Sequence, residues 1–285
     1  MNDFSAPILA SDILAVQDVF ADNFSVIDDN SWSRKTEANE QGWTLHETIC
    51  HLDTVSKTYL AMIEAAVADQ TYTLPQVTTR ADFPRWMAQE IERRSHLTPQ
   101  DNIAAFLETL QQTASFAETL SSEDLAKKTN FFGYNQMISV AELLGAQSAH
   151  PAIVHGAQVA CGARIDPLWH HLPPDLIQRQ LTHLFRQMAL VYWPERGGAL
   201  QATITFIIAG EGGGRWQLTL SPEGATAKQG APKRSDVTLW FRTADTYCQV
   251  ITLQLSPFHA VLTGRSFVWG KVWLALRLKN LFSVT

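Results

Sequence analysis

Cysteine is scarce in this 285-residue chain: Cys50, Cys161 and Cys248 are far apart, and no two share a CxxC spacing. That argues against a disulfide framework and a thiolate zinc cluster, and it points to a reducing compartment. Basic clusters are also short. No Lys/Arg run exceeds the pairs Lys127-Lys128 and Lys233-Arg234, and the net charge is -6, so the surface offers no field for nucleic acid. No segment approaches the ~18 uninterrupted apolar residues of a membrane span, and residues 1–10 lack a basic stretch followed by an apolar one. The expected location is the cytoplasm.

What is present is an apolar fraction of 46% with 18% charged residues, which suits compact globular domains, and a length that suits two hydrophobic cores. From Asp12 to about Ala160 apolar residues recur at helical spacing, as in Ile13, Val16, Val19 and Phe20 and again in Ile103, Phe106, Leu107 and Leu110. Breaks at 28–41, 72–84 and 127–136 leave four main segments, the pattern of a helical bundle. Beyond Gly162 the texture changes. Pro167, Pro173 and Pro174 precede an amphipathic helix from Asp175 to about Tyr192. Ala202–Ile208 and Arg215–Leu220 then alternate around a Glu211–Gly214 hairpin turn. Asp236–Phe241 supplies a third strand, Thr243–Leu255 and Pro257–Thr263 two helices, and Lys271–Leu281 a closing helix. The expected fold class is multidomain: an all-α four-helix bundle over 1–165 and an α+β domain over 175–285, with the boundary between Gly162 and Asp175.

Two stretches carry chemistry. In Gly42–Leu52, Thr44 and Glu47 have the spacing of a capping box, so a helix starts at Thr44 and His51 lies two turns inside it. The second stretch, Ser139–His155, holds two histidines five apart around a proline. In an ideal helix their side chains diverge by about 140°, whereas a π-type turn of about 4.4 residues brings them nearly into line. Pro151 favours that turn, because it has no N–H to offer and its ring crowds the preceding turn.

Gly42–Leu52, with tryptophan after glycine and histidine eight residues later, resembles the second-helix signature of the DinB-like superfamily, most closely its mycothiol-dependent maleylpyruvate isomerase branch. The resemblance implies a divalent metal held by one histidine of this helix and by a carboxylate and a histidine of a later one. His51 matches the first ligand and His155 the last. Four residues before His155, where the resemblance implies glutamate, stands Pro151. The nearest donor is His150, which a one-residue proline bulge moves into the vacated place, giving a metal set of His51, His150 and His155. The bland reading is a lost metal site with two leftover histidines; His46 and Gln147 are spare candidates, with His46 expected to face solvent. The run from about Thr182 to the end, with Gly264 and Gly270 bracketing a short strand, resembles the sterol-carrier-protein family. That implies a hydrophobic tunnel, with Trp216, Trp240, Trp269, Trp273 and Leu274 as its candidate lining.

Three neutral imidazoles leave a divalent ion, zinc or else nickel or iron, with its full charge and an open position that acidifies water or accepts a thiolate. Together with the resemblance to the isomerase branch, this gives the expected function: a metal-dependent enzyme, an isomerase or transferase, using a low-molecular-weight thiol on a small-molecule substrate. A metal-dependent hydrolase is one alternative. A non-catalytic carrier of an apolar ligand with a vestigial metal site is the other. Cys50 points about 100° away from His51 around the helix. Asp53 is either an acceptor for a ligating imidazole or an exposed helix acid.

Overall fold

A computed structural model describes residues 4–35, 42–132, 136–230, 232 and 234–282. Parts of the expected breaks at 28–41 and 127–136, and Lys233 of the basic pair, lie outside the described residues. The chain divides into two compact units, residues 1–172 and 173–285.

The N-terminal unit is helical. Its long helices are α1 (Ala6–Phe24), α2 (Leu45–Val67), α3 (Phe83–Arg94) and α4 (Pro99–Ala117). A short α5 (Ser122–Ala126) and a two-stranded antiparallel ribbon, β1 (Lys128–Asn130) with β2 (Met137–Ser139), lead into α6 (Val140–Ala149). A π-helical turn over His150–His155 joins α6 to α7 (Gly156–Ala163). Helices α1, α2, α4 and α6 pack on one another around Ile13, Phe20, Ile49, Phe106, Leu110 and Leu144, and α3 lies against α2.

Local sequence explains the starts. Thr44, Thr98, Ser121 and Ser139 each accept from the backbone N–H three residues on, while the acid there accepts from the cap's own N–H. These four reciprocal boxes satisfy amides that a helix start otherwise leaves unpaired. The box at Thr98, followed by Pro99, also divides the third expected segment into α3 and α4, because proline suits the first helical position and not the interior. Across the bundle, the Gln147 amide donates to the Ser56 carbonyl and to Thr113 Oγ1, both at 3.0 Å, and so ties α6 to α2 and α4.

The C-terminal unit is α+β. Helix α8 (Pro174–Leu190) and a single turn α9 (Pro194–Gly197) precede β3 (Ala202–Ile208), β4 (Gly214–Ser221), β5 (Gly224–Gln229) and β6 (Val237–Phe241). Then come α10 (Ala244–Ile251), α11 (Pro257–Leu262), β7 (Ser266–Gly270) and α12 (Val272–Phe282). The sheet runs in the order β5-β4-β3-β6-β7, with β3 and β6 parallel and every other pair antiparallel. Strand β5 is not expected from the sequence, since the only apolar side chains that alternate in Gly224–Gln229 are two alanines; it is an edge strand with no buried position. The core forms where Phe185 of α8 meets Phe206, Trp216 and Tyr247 at ring-centroid distances of 4.8, 5.0 and 5.4 Å.

Both bracketing glycines have left-handed backbones, with φ of 67° at Gly264 and 94° at Gly270. At Gly270 a Cβ would also strike the Asp236 carbonyl, whereas the space at Gly264 is open, so conformation alone requires glycine there. Of the expected tunnel lining, Trp216 and Leu274 are buried and Trp240 is partly so. Trp269 and Trp273 are half exposed and close no interior wall. Among the described residues no helix is long and apolar enough to cross a membrane.

Candidate metal centre

The reciprocal cap at Thr44 fixes the start of α2: Thr44 N–H donates to Glu47 Oε2 at 2.6 Å, and Glu47 N–H donates to Thr44 Oγ1 at 3.1 Å. From that start His51 falls on the face of α2 that packs against α6 and the π-turn. The π-turn the sequence predicts at Pro151 is present. Its last backbone bond, Gly156 N–H to the Pro151 carbonyl, spans five residues instead of four. The wider turn lines up two imidazoles that an α-helix would set apart, and His150 Nε2 lies 3.0 Å from His155 Nε2.

His51, His150 and His155 thus converge, each offering a ring nitrogen, and all three nitrogens lie within 4.8 Å of one another. Ring centroids are 4.5 Å apart for His51 and His155 and 5.4 Å apart for His51 and His150. Both ring nitrogens of His51 are buried without a hydrogen-bond partner among the described residues. His155 Nδ1 lies 2.6 Å from Gln158 Oε1, an acceptor, so the proton sits on Nδ1 and the Nε2 lone pair faces the other two rings. The Nε2 pair at 3.0 Å is close to the about 3.3 Å that separates neighbouring imidazole nitrogens around a tetrahedral ion at 2.0–2.1 Å.

Burial, then the charges of His155 and His150, holds His51 well below its usual pKa, and burial with His155 does the same for His150. Burial brings His155 down to about 4, partly opposed by its bond to Gln158. All three imidazoles are therefore neutral near pH 7, the form that ligates. The orphaned nitrogens of His51 and the all-nitrogen donor set fit a divalent ion such as zinc, nickel or iron.

The remaining sequence candidates lie elsewhere. His46 does not face solvent freely: its Nε2 is 3.0 Å from Asn102 Nδ2 of α4, and the ring is half-buried. Gln147 spends its amide protons on the bundle ties. Asp53 is neither an exposed acid nor a partner of the cluster. It is buried and takes Lys57 Nζ at 2.8 Å and Arg94 Nε at 2.8 Å. Cys50 is buried, and burial pushes its thiol up to about 12. Sequence reasoning missed Gln158, one turn beyond His155, and gave no role to Trp43, whose ring lies 4.8 Å from His51 and 6.4 Å from His155. It also missed Tyr59, which stacks on Phe132 and lies 6.5 Å from His150. A cleft of about 400 Å³ between α2, α3 and the segment at 72–76 is lined by Lys57, Tyr72, Trp86 and Arg94 among others, but by none of the three histidines.

The family model described as the mycothiol maleylpyruvate isomerase N-terminal domain matches residues 13–160, just over half of the chain. Among solved structures, a crystal structure of the mycothiol-dependent maleylpyruvate isomerase superposes with a TM-score of 0.54 at 13% identity, covering 87% of this chain and 88% of that one. At that identity the likeness is one of fold. A sterol carrier protein 2 from Yarrowia lipolytica is matched over 38% of this chain and 88% of that one at 20% identity, with a TM-score of 0.26, too low to bear on the fold. Hydroxysteroid dehydrogenase-like protein 2 from Mus musculus is 33% identical over 86 residues, 30% of this chain. The matched stretch spans 17% of that relative's length.

Proposed function

The chain belongs to the family of the mycothiol maleylpyruvate isomerase N-terminal domain, and from that premise we propose that it is a metal-dependent enzyme, working in the cytoplasm, that uses a low-molecular-weight thiol on an electrophilic small molecule. His51, His150 and His155 are the proposed ligands, and zinc is the first metal to test. The observation that carries the reading is the convergence of three neutral imidazoles, one of them buried with both nitrogens unpartnered. Leaving such nitrogens unpaired costs roughly 1–3 kcal/mol each, and a bound cation would remove that cost for the one nitrogen it takes.

Once bound, a divalent ion supplies the positive charge that favours the thiolate form of a thiol at neutral pH. The chain's own residues do the rest. Gln158 holds the His155 tautomer, and Trp43 and Tyr59 wall the cluster and limit water. In the isomerisation proposed, a thiolate sulfur bonds to one carbon of a conjugated double bond and the electron pair moves to the carbonyl. The remaining single bond rotates, and the C–S bond breaks to return the thiol. Maleylpyruvate and mycothiol, named for the structural neighbour, are the first pair to assay.

The test is thiol-dependent turnover by the metal-loaded protein beside His51→Ala. Turnover that needs the thiol, the metal and His51 is the expected result. Hydrolytic turnover without thiol would favour the hydrolase reading, and metal-free protein carrying co-purified lipid would favour the apolar-ligand carrier.

A further inference from the structure

The last forty residues of the chain, from Thr246 on, contain no aspartate or glutamate, while Arg265, Lys271, Arg277 and Lys279 all fall there, in a chain whose net charge is -6. The same stretch leaves much of its apolar surface in solvent. On α11, Leu262 is 84% exposed and Phe258 70%, one turn apart on a helix whose only buried residue is Ala260. Strand β7 is the sheet edge beyond β6, and its Phe267 and Trp269, two apart and so on one side of the strand, are each half exposed. On α12, Leu274 and Leu281 point inward while Trp273 and Leu276, three apart, point out. Both α11 and α12 adjoin β7, so these side chains belong to one neighbourhood. The cations stand among them. Arg277 lies 5.9 Å over the Trp273 ring, Arg265 and Lys279 are exposed, and Lys271, also exposed, pairs with Asp236 at 2.8 Å.

We propose that this face, formed by α11, β7 and α12, docks on the surface of an anionic lipid bilayer. Scattered exposed leucines need no explanation, but adjoining exposed tryptophan, phenylalanine and leucine interleaved with basic residues, with no acid within α11, β7 or α12 themselves, match what the interface asks for. Rings settle at headgroup depth, apolar tips reach the acyl boundary, and cations meet lipid phosphates and carboxylates. A second copy of the chain is a poorer occupant. A two-fold interface would set the same predominantly basic face against itself. No helix spans the bilayer in this arrangement; the attachment is peripheral and reversible.

Co-sedimentation of the full chain with phosphatidylcholine vesicles, with and without phosphatidylserine, tests the proposal. Binding to the phosphatidylserine vesicles is expected, with a blue shift of tryptophan emission, weakening as salt rises. Arg265→Gln and Lys279→Gln should each weaken it about fivefold, and the pair Phe258→Ser, Leu262→Ser by more than about tenfold. These positions are exposed, so unchanged thermal midpoints identify folded variants, and the charge variants decide the matter if the serine pair does not fold. The proposal fails if no vesicle is bound, or if binding ignores phosphatidylserine and salt. It also fails if the only effect of the serine pair is to dissolve a concentration-dependent dimer.

Discussion

In the N-terminal unit the ring nitrogens of His51 lie buried with no hydrogen-bond partner among the described residues, whereas in the C-terminal unit Leu262 and Phe258 stand largely in water. The two departures run in opposite directions, and folding favours neither. An orphaned imidazole costs free energy, and an exposed leucine forgoes the ~2 kcal/mol its burial would contribute. Elsewhere each unit obeys ordinary rules: reciprocal caps start α2, α4, α5 and α6, and Phe185, Phe206, Trp216 and Tyr247 fill a core. Function is sought where packing alone gives no reason for the arrangement.

The largest effect expected outside the metal site sharpens this contrast with a buried histidine of the C-terminal unit. Burial, then the charges of Arg186 and Arg179, lowers His183 to about 3 from an ordinary 6.5. A histidine held neutral in the fold contributes stability that is present above 6.5 and is lost as pH falls toward 3, because the unfolded chain takes up the proton first. Denaturant unfolding should lose about 3 kcal/mol from this residue alone between neutral pH and about 4.5. His183→Leu should flatten that slope without changing metal content. An unchanged slope would remove His183 from the account of acid sensitivity.

Gly156→Ala comes next. An added Cβ would sit 2.5 Å from the Pro151 carbonyl oxygen, the acceptor of the bond that closes the π-turn, and would overlap the Leu168 side chain. A loss of roughly 2 kcal/mol in stability is expected, together with weaker metal binding, because the same turn aligns His150 and His155. Loss of stability with metal affinity intact would separate the turn from the site. Gln158→Leu should leave the fold in place and cost roughly 10–100-fold in metal affinity by titration, since it frees the His155 tautomer. Smallest is Thr44→Ala, a loss of about 1 kcal/mol from an ordinary helix cap in a thermal melt, with metal affinity near the parent's.

Much of this was legible in the sequence because it is local. Helical periodicity, the Thr44 cap and the spacing of His150, Pro151 and His155 give α1, α2 and the π-turn, since proline's missing N–H acts within one turn wherever it occurs. Alternation gives β3, β4 and β6. The misses are of another kind. Strand β5 has nothing larger than Ala225 and Ala227 on its less exposed face and shows itself only by pairing with β4. Asp53 looks like a surface acid until Arg94, 41 residues away, packs against it, and His46 looks exposed until Asn102, 56 residues away, meets its ring. Nothing local marks a residue whose partner arrives from another helix.

His150, carried by the π-turn, is proposed to complete a metal set with His51 and His155 in the place where the family resemblance implies a carboxylate. Metal per chain, measured by elemental analysis of purified parent and His150→Ala protein side by side, tests it most directly. One equivalent in the parent and almost none in the variant is the predicted result. Equal metal in both would contradict the assignment of His150, and no metal in either would contradict the metal site itself.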